Sequence, residues 1–172
     1  IDNSGSMARG LAGSSSSKQR IANEGAALAV LALDKSDALC VIAFNSSPEV
    51  VIPTRRNKDA KKNAEIVRGI GSGGGTNIGG ALRAAGEQLG KLDKAPVKHV
   101  ILLTDGRDEQ RVDLAGIAGE LKSRGITVST IGVGDDVDEP VMAAVAKAGG
   151  GKFYNVRDPS VLPRVFVKEV RV

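Results

Sequence analysis

The chain has 172 residues, a formal net charge of +4, one Cys, three Phe, one Tyr and no Trp. This length suits one domain with a full hydrophobic core, and because Cys40 has no partner, a disulfide scaffold and a cysteine-based zinc site are excluded. The small charge excess and the few aromatic side chains argue against nucleic-acid binding, and no apolar run reaches the roughly eighteen residues of a membrane span.

The first half of the chain predicts helices on either side of a β-hairpin. Apolar residues recur at helical spacing over residues 18–33, 58–70 and 77–92. Between the first two helices, residues 38–45 form a continuous apolar run of strand length, and residues 49–54 follow after two serines and a proline. Two short apolar runs that are separated by turn-forming residues are typical of a hairpin.

The second half of the chain alternates strands with helices. Residues 99–105 and 126–134 are rich in Val, Ile and Thr, which is typical of parallel strands buried on both faces. The helix predicted between them ends at Gly125, where a left-handed cap is expected. The remaining predicted elements are a helix over 140–148, a short strand KFYNVR and a final helix over 159–172. This alternation predicts an α/β fold, in which helices cover both faces of a mostly parallel sheet and sites lie at the carboxyl ends of the strands.

Two segments are of low complexity. Residues 10–19, GLAGSSSSKQ, have the composition of a flexible surface loop, and residues 69–77 are rich in glycine. Gly69, Gly71 and Gly74 match a G-x-G-x-x-G pattern, but a dinucleotide-binding loop follows a strand, whereas this loop follows a predicted helix. The context therefore argues against a nucleotide site.

Five oxygen-bearing side chains form the candidate site. Asp2, Ser4 and Ser6 alternate in DNSGS, so they can converge on one point in an extended or turning segment. Thr76 follows three glycines, and Asp105 ends the strongest predicted strand. Three hydroxyls and two carboxylates suit Mg²⁺ or Mn²⁺, and Ca²⁺ if the ligands can spread. Two carboxylates formally neutralise a divalent ion that can still accept a partner's carboxylate, and helix N-termini after Ser6 and Thr76 are expected to favour that anion.

These segments together resemble a known family. D-x-S-G-S-M at residues 2–7, the GGGTN loop that holds Thr76 and LLTDGRDE around Asp105 resemble the von Willebrand factor type A domain and its metal-ion-dependent adhesion site. The resemblance extends over essentially the whole chain, since the order and spacing of the predicted elements also match. It implies a Rossmann-like sheet in strand order 3-2-1-4-5-6, in which the short strand around 49–54 is antiparallel.

The resemblance also implies a site and a function. One divalent ion is expected to be held by Ser4, Ser6 and Thr76, with Asp2 and Asp105 bonding to it directly or through water. Members of the family bind partner proteins, often through a Glu or Asp that completes the metal shell, and are not usually enzymes. Similar bacterial members belong to larger, often membrane-anchored or secreted proteins, some of which work with ATPase partners. We therefore predict a protein-binding module that contacts a membrane only through other parts of a parent protein.

One departure from the family concerns the start of the domain. The family has a central apolar strand immediately before its first Asp, and only Ile1 precedes Asp2 here. We therefore expect residues 1–172 to form a single domain of this type that lacks most of its first strand. In the family arrangement that strand lies between the runs LCVIAF and HVILLTD.

The residues also leave other functions open. Two carboxylates at strand ends with Mg²⁺ suit a phosphohydrolase that uses Asp2 and Asp105, although such chemistry also needs a nucleophile or a positioned acid and base. A second alternative is an interaction module that does not depend on metal. His99 begins the strand whose far end carries Asp105, which argues against a Ser-His-Asp triad.

Simpler structural roles are possible for several of the same residues. Ser4 and Ser6 can cap a helix, Asp105 can begin an ordinary turn, and Asn77 is expected to cap the helix that follows it. The basic run 55–68 is interpreted as the solvated face of a helix, with a patch for a partner or for anionic lipid as its alternative. The acidic run 134–139 is interpreted as a solvated loop, with a second cation site as its alternative.

Overall fold

The computed structural model of the chain, which describes residues 1–10, 14–92 and 94–170, places a central sheet between two layers of helices. The strands are β1 Ala38–Phe44, β2 Pro48–Arg56, β3 Lys98–Thr104, β4 Ile126–Val133 and β5 Gly150–Val156. The α-helices are α1 Lys18–Ala32, α2 Ala60–Arg68, α3 Ile78–Gly90, α4 Leu114–Ser123, α5 Glu139–Ala148 and α6 Leu162–Glu169, and short 3-10 helices lie at Gly5–Ala8 and Pro159–Val161. The predicted α/β fold class is confirmed.

The sheet consists of an antiparallel pair and a parallel group. β1 and β2 pair antiparallel across the short loop 45–47, so the predicted hairpin is confirmed, although β2 extends beyond the predicted 49–54. β3, β4 and β5 are parallel and adjacent in that order. The final helix begins at Leu162 rather than at residue 159, because a 3-10 turn precedes it, and residues 171 and 172 of that prediction lie outside the described residues.

The first three residues join the two parts of the sheet. The Asp2 amide donates to the Leu103 carbonyl at 2.9 Å, and the Asn3 amide donates to the Phe44 carbonyl at 2.8 Å. The Phe44 amide in turn donates to the Ile1 carbonyl at 3.0 Å. The spatial order is therefore β2, β1, this short segment, β3, β4 and β5.

Away from this segment, β1 and β3 are separated by a cleft whose walls include residues 39–42 and 97–102. The strand that we expect before Asp2 concerns residues that this sequence does not contain, and it stays a prediction.

Alternate side chains of the strands pack into two hydrophobic layers. Leu103 packs in one layer with side chains of α1, α2 and α6, whereas its neighbour Leu102 packs in the other with side chains of α3, α4 and α5. Ala43 and Phe44 divide between the two layers in the same way. Because successive strand residues point to opposite faces, the continuous apolar runs are buried on both sides, as predicted.

Polar side chains define where the helices begin. The Asn77 side chain accepts from the Gly80 amide at 2.8 Å, which confirms its predicted capping role. Gly125 follows α4 with φ +76°, which confirms the predicted left-handed position. The longest helix in the described part, α1, has 15 residues, and none there combines the length and apolar character needed to cross a membrane.

The basic run 55–68 covers the end of β2 and the helix α2. Its three lysines are exposed, while Asn63, Ala64 and Val67 face the interior. The solvated helix face that we predicted is what the structure shows.

A partly buried polar network ties α6 to β3, β4 and β5. Nδ1 of His99 lies 2.6 Å from the Thr127 hydroxyl oxygen, and Nε2 lies 3.3 Å from Oε2 of Glu169. Oε1 of Glu169 accepts from the Tyr154 hydroxyl at 2.7 Å. His99 stands near the start of β3, about 20 Å along the strand from Asp105 at about 3.3 Å per residue. The structure therefore keeps His99 and Asp105 apart, as the sequence predicted.

We expect acid to weaken the fold through His99. Burial lowers the pKa of this imidazole below its ordinary 6.5, and the Glu169 carboxylate opposes that effect. As the pH falls through 6.5, the unfolded chain therefore binds a proton that the folded chain resists, so the free energy of unfolding decreases. Urea unfolding of His99→Gln at a series of pH values should show a flatter profile in this window. Parallel profiles for the variant and the parent would contradict the prediction.

Substitution by alanine at two glycines is expected to have opposite effects on the free energy of unfolding. Gly119 in α4 has open space at its Cβ position, so Gly119→Ala should raise the free energy of unfolding by about 0.5–1 kcal/mol. A Cβ on Gly151 of β5 would overlap the Val128 carbonyl oxygen and lie 2.6 Å from the Ser129 hydroxyl oxygen. Gly151→Ala should therefore lower the free energy of unfolding by about 1–3 kcal/mol. Denaturant titration measures both, and a Gly151→Ala variant as stable as the parent would contradict the β4–β5 packing.

Candidate metal centre

The candidate site lies at the carboxyl end of β3, where the segment after Asp2 meets the loops at 71–77 and 105–113. The Gly5 amide donates to the Gly74 carbonyl at 2.9 Å, and the Glu109 amide donates to the Thr76 carbonyl at 3.0 Å. Gly74 adopts φ +84°, a left-handed conformation that suits glycine. Backbone hydrogen bonds therefore hold the three loops against one another.

Asp2 is completely buried and anchored through both carboxylate oxygens. Oδ1 accepts from the Ser4 amide at 2.8 Å, and Oδ2 accepts from the Thr104 hydroxyl at 2.6 Å. Burial raises the pKa of the Asp2 carboxyl above its ordinary value, hydrogen bonds from Ser4 and Thr104 oppose the rise, and the charge of Asp105 adds to it. Asp2 thus supports the site from its buried side.

Ser4, Ser6 and Asp105 form a continuous chain of side-chain contacts. The Ser4 and Ser6 hydroxyl oxygens lie 3.0 Å apart, and the Ser6 hydroxyl donates to Oδ1 of Asp105 at 2.7 Å. Ser4 and Asp105 are buried, whereas Ser6 is half-buried. The alternating side chains of DNSGS therefore converge, as the sequence predicted.

Thr76 faces the same place from the glycine-rich loop. It is buried, and its hydroxyl oxygen and that of Ser6 each lie 4.0 Å from the point where a Cβ on Gly106 would stand. Both hydroxyls therefore approach the turn that follows Asp105. The structure thus gathers all five predicted residues at one edge of the sheet, and their role as metal ligands stays a prediction.

Lys18 is a member of the site that the sequence did not reveal. Its Nζ lies 2.8 Å from Oδ2 of Asp105 and 3.7 Å from Oδ2 of Asp136, and only 6% of its side chain is exposed. The interpretation of residues 10–19 as a flexible surface loop is wrong for Lys18 and Gln19, which begin α1 and are buried; residues 11–13 lie outside the described residues. The start of the helix predicted over 18–33 is confirmed, because α1 begins at Lys18 and Ser17 is its cap.

Three other loop residues, Ser6, Asp136 and Asp138, have surroundings that differ from those predicted. Ser6 lies inside the four-residue 3-10 helix Gly5–Ala8, so no long helix begins there, whereas α3 does begin just after Thr76. Asp138 in the acidic run caps α5, and Asp136 contacts Lys18, so this loop is only partly a solvated one.

The donor set fits a small hard cation. In an octahedral shell with bonds of about 2.0–2.1 Å, neighbouring oxygens lie about 2.9 Å apart, whereas the longer bonds of Ca²⁺ would place them about 3.3–3.7 Å apart. The spacings of 3.0 Å between the Ser4 and Ser6 hydroxyls and 2.7 Å between Ser6 and Asp105 are hydrogen-bond lengths, and they bring these oxygens close enough to share one small cation. Within the described ranges, no three His, Cys, Asp or Glu side chains cluster to hold a metal, so hydroxyls would have to supply ligands.

Comparison with known proteins identifies relatives of the chain. A curated relative, the uncharacterized protein sll0103 from Synechocystis, is 29% identical over 133 residues, which cover 74% of this chain and 31% of that protein. The solved structure of a von Willebrand factor type A protein from Catenulispora acidiphila superposes with a TM-score of 0.86 at 29% identity, over 99% of this chain and 40% of that one. The chain thus spans less than half the length of these proteins.

A more distant structure of the same fold contains zinc. Proximal thread matrix protein 1 from the mussel byssus has a zinc-occupied MIDAS motif in one structure. It superposes with a TM-score of 0.76 at 18% identity, over 99% of this chain and 43% of that one, so the likeness shows the fold alone.

The family assignment follows from the whole chain rather than from one motif. The family model of the von Willebrand factor type A domain matches residues 1–168. Domains of this family have a Rossmann-like fold, commonly bind a divalent metal, and generally mediate adhesion or protein interaction rather than catalysis. This chain belongs to the von Willebrand factor type A domain family.

Proposed function

We propose that this domain is a divalent-metal-dependent protein-binding module whose site takes an Asp or Glu carboxylate of a partner. The observation that carries the proposal is the chain of contacts from Ser4 through Ser6 to Asp105, with oxygen spacings of 3.0 Å and 2.7 Å. Hydroxyl and carboxylate oxygens are hard donors that suit Mg²⁺ or Mn²⁺, and Ca²⁺ if the ligands can spread.

Each proposed ligand has a distinct part in the site. Ser4, Ser6 and Thr76 offer neutral hydroxyl oxygens, while Asp105 offers Oδ1, which Ser6 already contacts. Asp2 lies on the buried side of the site, where Ser4 and Thr104 donate to its two oxygens. It bonds to the ion directly or through water. A bound divalent ion supplies a Lewis-acidic position that can accept a carboxylate oxygen.

The surroundings favour an anionic group from the partner. The two carboxylates formally neutralise a divalent ion, and the three neutral hydroxyls add no charge, so the ion can still accept an anionic oxygen. The N-terminus of α3 begins two residues after Thr76 and adds a favourable dipole for an anion. The exposed Arg107 stands on the same rim. The family's common role in protein interaction and the zinc-occupied MIDAS motif of a structural neighbour support this proposal.

The site offers little that an enzyme would need. Asp108, one of the spare acidic groups beside the site, accepts from the Ile78 amide at 2.8 Å and so caps α3. His99 lies at the opposite end of the sheet. A phosphohydrolase would also need a positioned nucleophile or acid and base. We propose that the domain is not an enzyme, and that any membrane anchor belongs to other parts of a parent protein.

Metal should stabilise the folded domain. At a concentration of about 100 times its dissociation constant, Mg²⁺ or Mn²⁺ should raise the melting temperature by about 5–10 °C, because it binds only the folded state. Asp105→Ala should abolish the shift, whereas Asp135→Ala, which removes an exposed carboxylate from the same rim, should retain it. Calorimetry with and without EDTA measures this, and the absence of a shift for the parent with both metals would contradict the site.

Binding of a carboxylate should require both the metal and Thr76. In ¹⁵N spectra with Mg²⁺, N-acetylglutamate amide should shift the amides of Gly5 and Gly106, whereas N-acetylglutamine amide should not. EDTA should remove the effect, and Thr76→Ala should weaken binding about tenfold without changing the net charge. The matched control is Thr54→Ala. Thr54 lies on β2, away from the site, and its hydroxyl bonds to Gln88. Carboxylate binding that survives EDTA would place the interface elsewhere.

A further inference from the structure

Lys18 is a buried cation in direct contact with a proposed metal ligand. Lysine is among the residues that are almost never fully buried unless they are paired. Here the ammonium lies 2.8 Å from Oδ2 of Asp105, while the Ser6 hydroxyl contacts the other oxygen, Oδ1. The two oxygens of this carboxylate therefore have different partners, a hydroxyl at Oδ1 and an ammonium at Oδ2.

The position of Lys18 is set by the helix that carries it. It is the first residue of α1, its amide donates to the Arg9 carbonyl at 2.9 Å, and Ser17 caps the helix. Asp136, at 3.7 Å from Nζ, is 67% exposed, so its attraction is weakened by solvent. Asp105, which is fully buried, is thus the main partner of the ammonium.

The charges of the site change sign when a divalent ion is added. Two carboxylates, Asp2 and Asp105, and one ammonium, Lys18, sum to −1. With a divalent ion the same groups sum to +1. Without the ammonium the loaded site would be neutral, which is the balance that the sequence by itself suggested. A site with a net positive charge favours an anionic ligand over a neutral one.

We infer that Lys18 is a specificity-determining residue: it weakens metal binding by its own charge, and it makes the loaded site select an anionic group. This inference rests on the proposed function. In the metal-free domain Lys18 compensates Asp105, so the fold persists without metal. In the metal-bound domain, Lys18 and the ion both contact Asp105 and repel each other. The site then has a net positive charge, which attracts the partner's carboxylate.

A structural role and the inferred role predict opposite effects on metal affinity. If Lys18 only held the site together, its removal would loosen the ligands and weaken metal binding. If its charge opposes the metal, removal should strengthen metal binding while it lowers stability in EDTA, because Asp105 is then left buried and unpaired. The direction of the change in Mn²⁺ affinity therefore separates the two roles.

The experiment measures Mn²⁺ binding and thermal stability of four variants. Lys18→Met removes the charge at similar length, Lys18→Gln removes it but retains a hydrogen-bond donor, and Lys18→Arg retains it. Lys122→Met is the matched control, because Lys122 is an exposed lysine in the last turn of α4, away from the site. Free Mn²⁺ is measured by electron paramagnetic resonance. The melting temperature is recorded at each Mn²⁺ concentration, so a variant that is unstable in EDTA still gives a binding curve.

We expect Lys18→Met and Lys18→Gln to bind Mn²⁺ about tenfold more tightly or better, since like charges a few ångströms apart repel strongly even at an effective dielectric constant of about 20. Both should melt at lower temperature in EDTA and bind N-acetylglutamate amide several-fold more weakly when loaded. Lys18→Arg and Lys122→Met should remain within about threefold of the parent for Mn²⁺.

The results separate the inference from the function on which it rests. A parent that binds Mn²⁺, together with neutral variants that bind it equally or more weakly, would overturn the role of Lys18 alone. Neutral variants that bind Mn²⁺ more tightly but retain full affinity for N-acetylglutamate amide would overturn the selectivity. A parent that binds no Mn²⁺ would overturn the proposed function and the inference together.

Discussion

The backbone hydrogen bonds of the first three residues connect the fold to the site. Asp2 donates to Leu103 of β3, and Asn3 donates to Phe44 of β1, so one extended segment lies between the two parts of the sheet. Because this segment is bonded on both sides, the Asp2 carboxylate has a defined position below Ser4. The donor set depends on this pairing, since without it β1 and β3 would carry their loops independently.

Electrostatics is the second constraint on the site. Buried charges are costly unless they are paired and hydrogen-bonded, and the two buried carboxylates satisfy this in different ways. Asp2 accepts from a backbone amide and the Thr104 hydroxyl, whereas Asp105 accepts from Ser6 and pairs with Lys18. Asp2 is therefore held by neutral donors and Asp105 by a cation, and an ion that binds at Asp105 meets a charge that is already present.

Much of the fold was predictable because its signals are local. The apolar runs of β1, β3 and β4 and the turn residues between them predicted strands in the right order, and Asn77 and Gly125 marked helix ends correctly. Composition was the poorer guide where two predictions overlapped. The serine-rich residues 10–19 predicted a loop, whereas helical spacing predicted a helix from residue 18, and α1 begins at Lys18.

The sequence by itself determined the class of fold, the order of its elements and the chemical type of the donor set, because periodicity, turn residues and oxygen-bearing side chains are properties of short segments. Only the tertiary structure decided which groups share the site. Lys18 is 87 residues from Asp105, and Thr104 reaches Asp2 across 102 residues. Neither contact has a local signature, since a lysine that is buried against a carboxylate and one that is exposed to water have the same neighbours in sequence. The contacts exist because α1 begins beside the end of β3 once the sheet has formed.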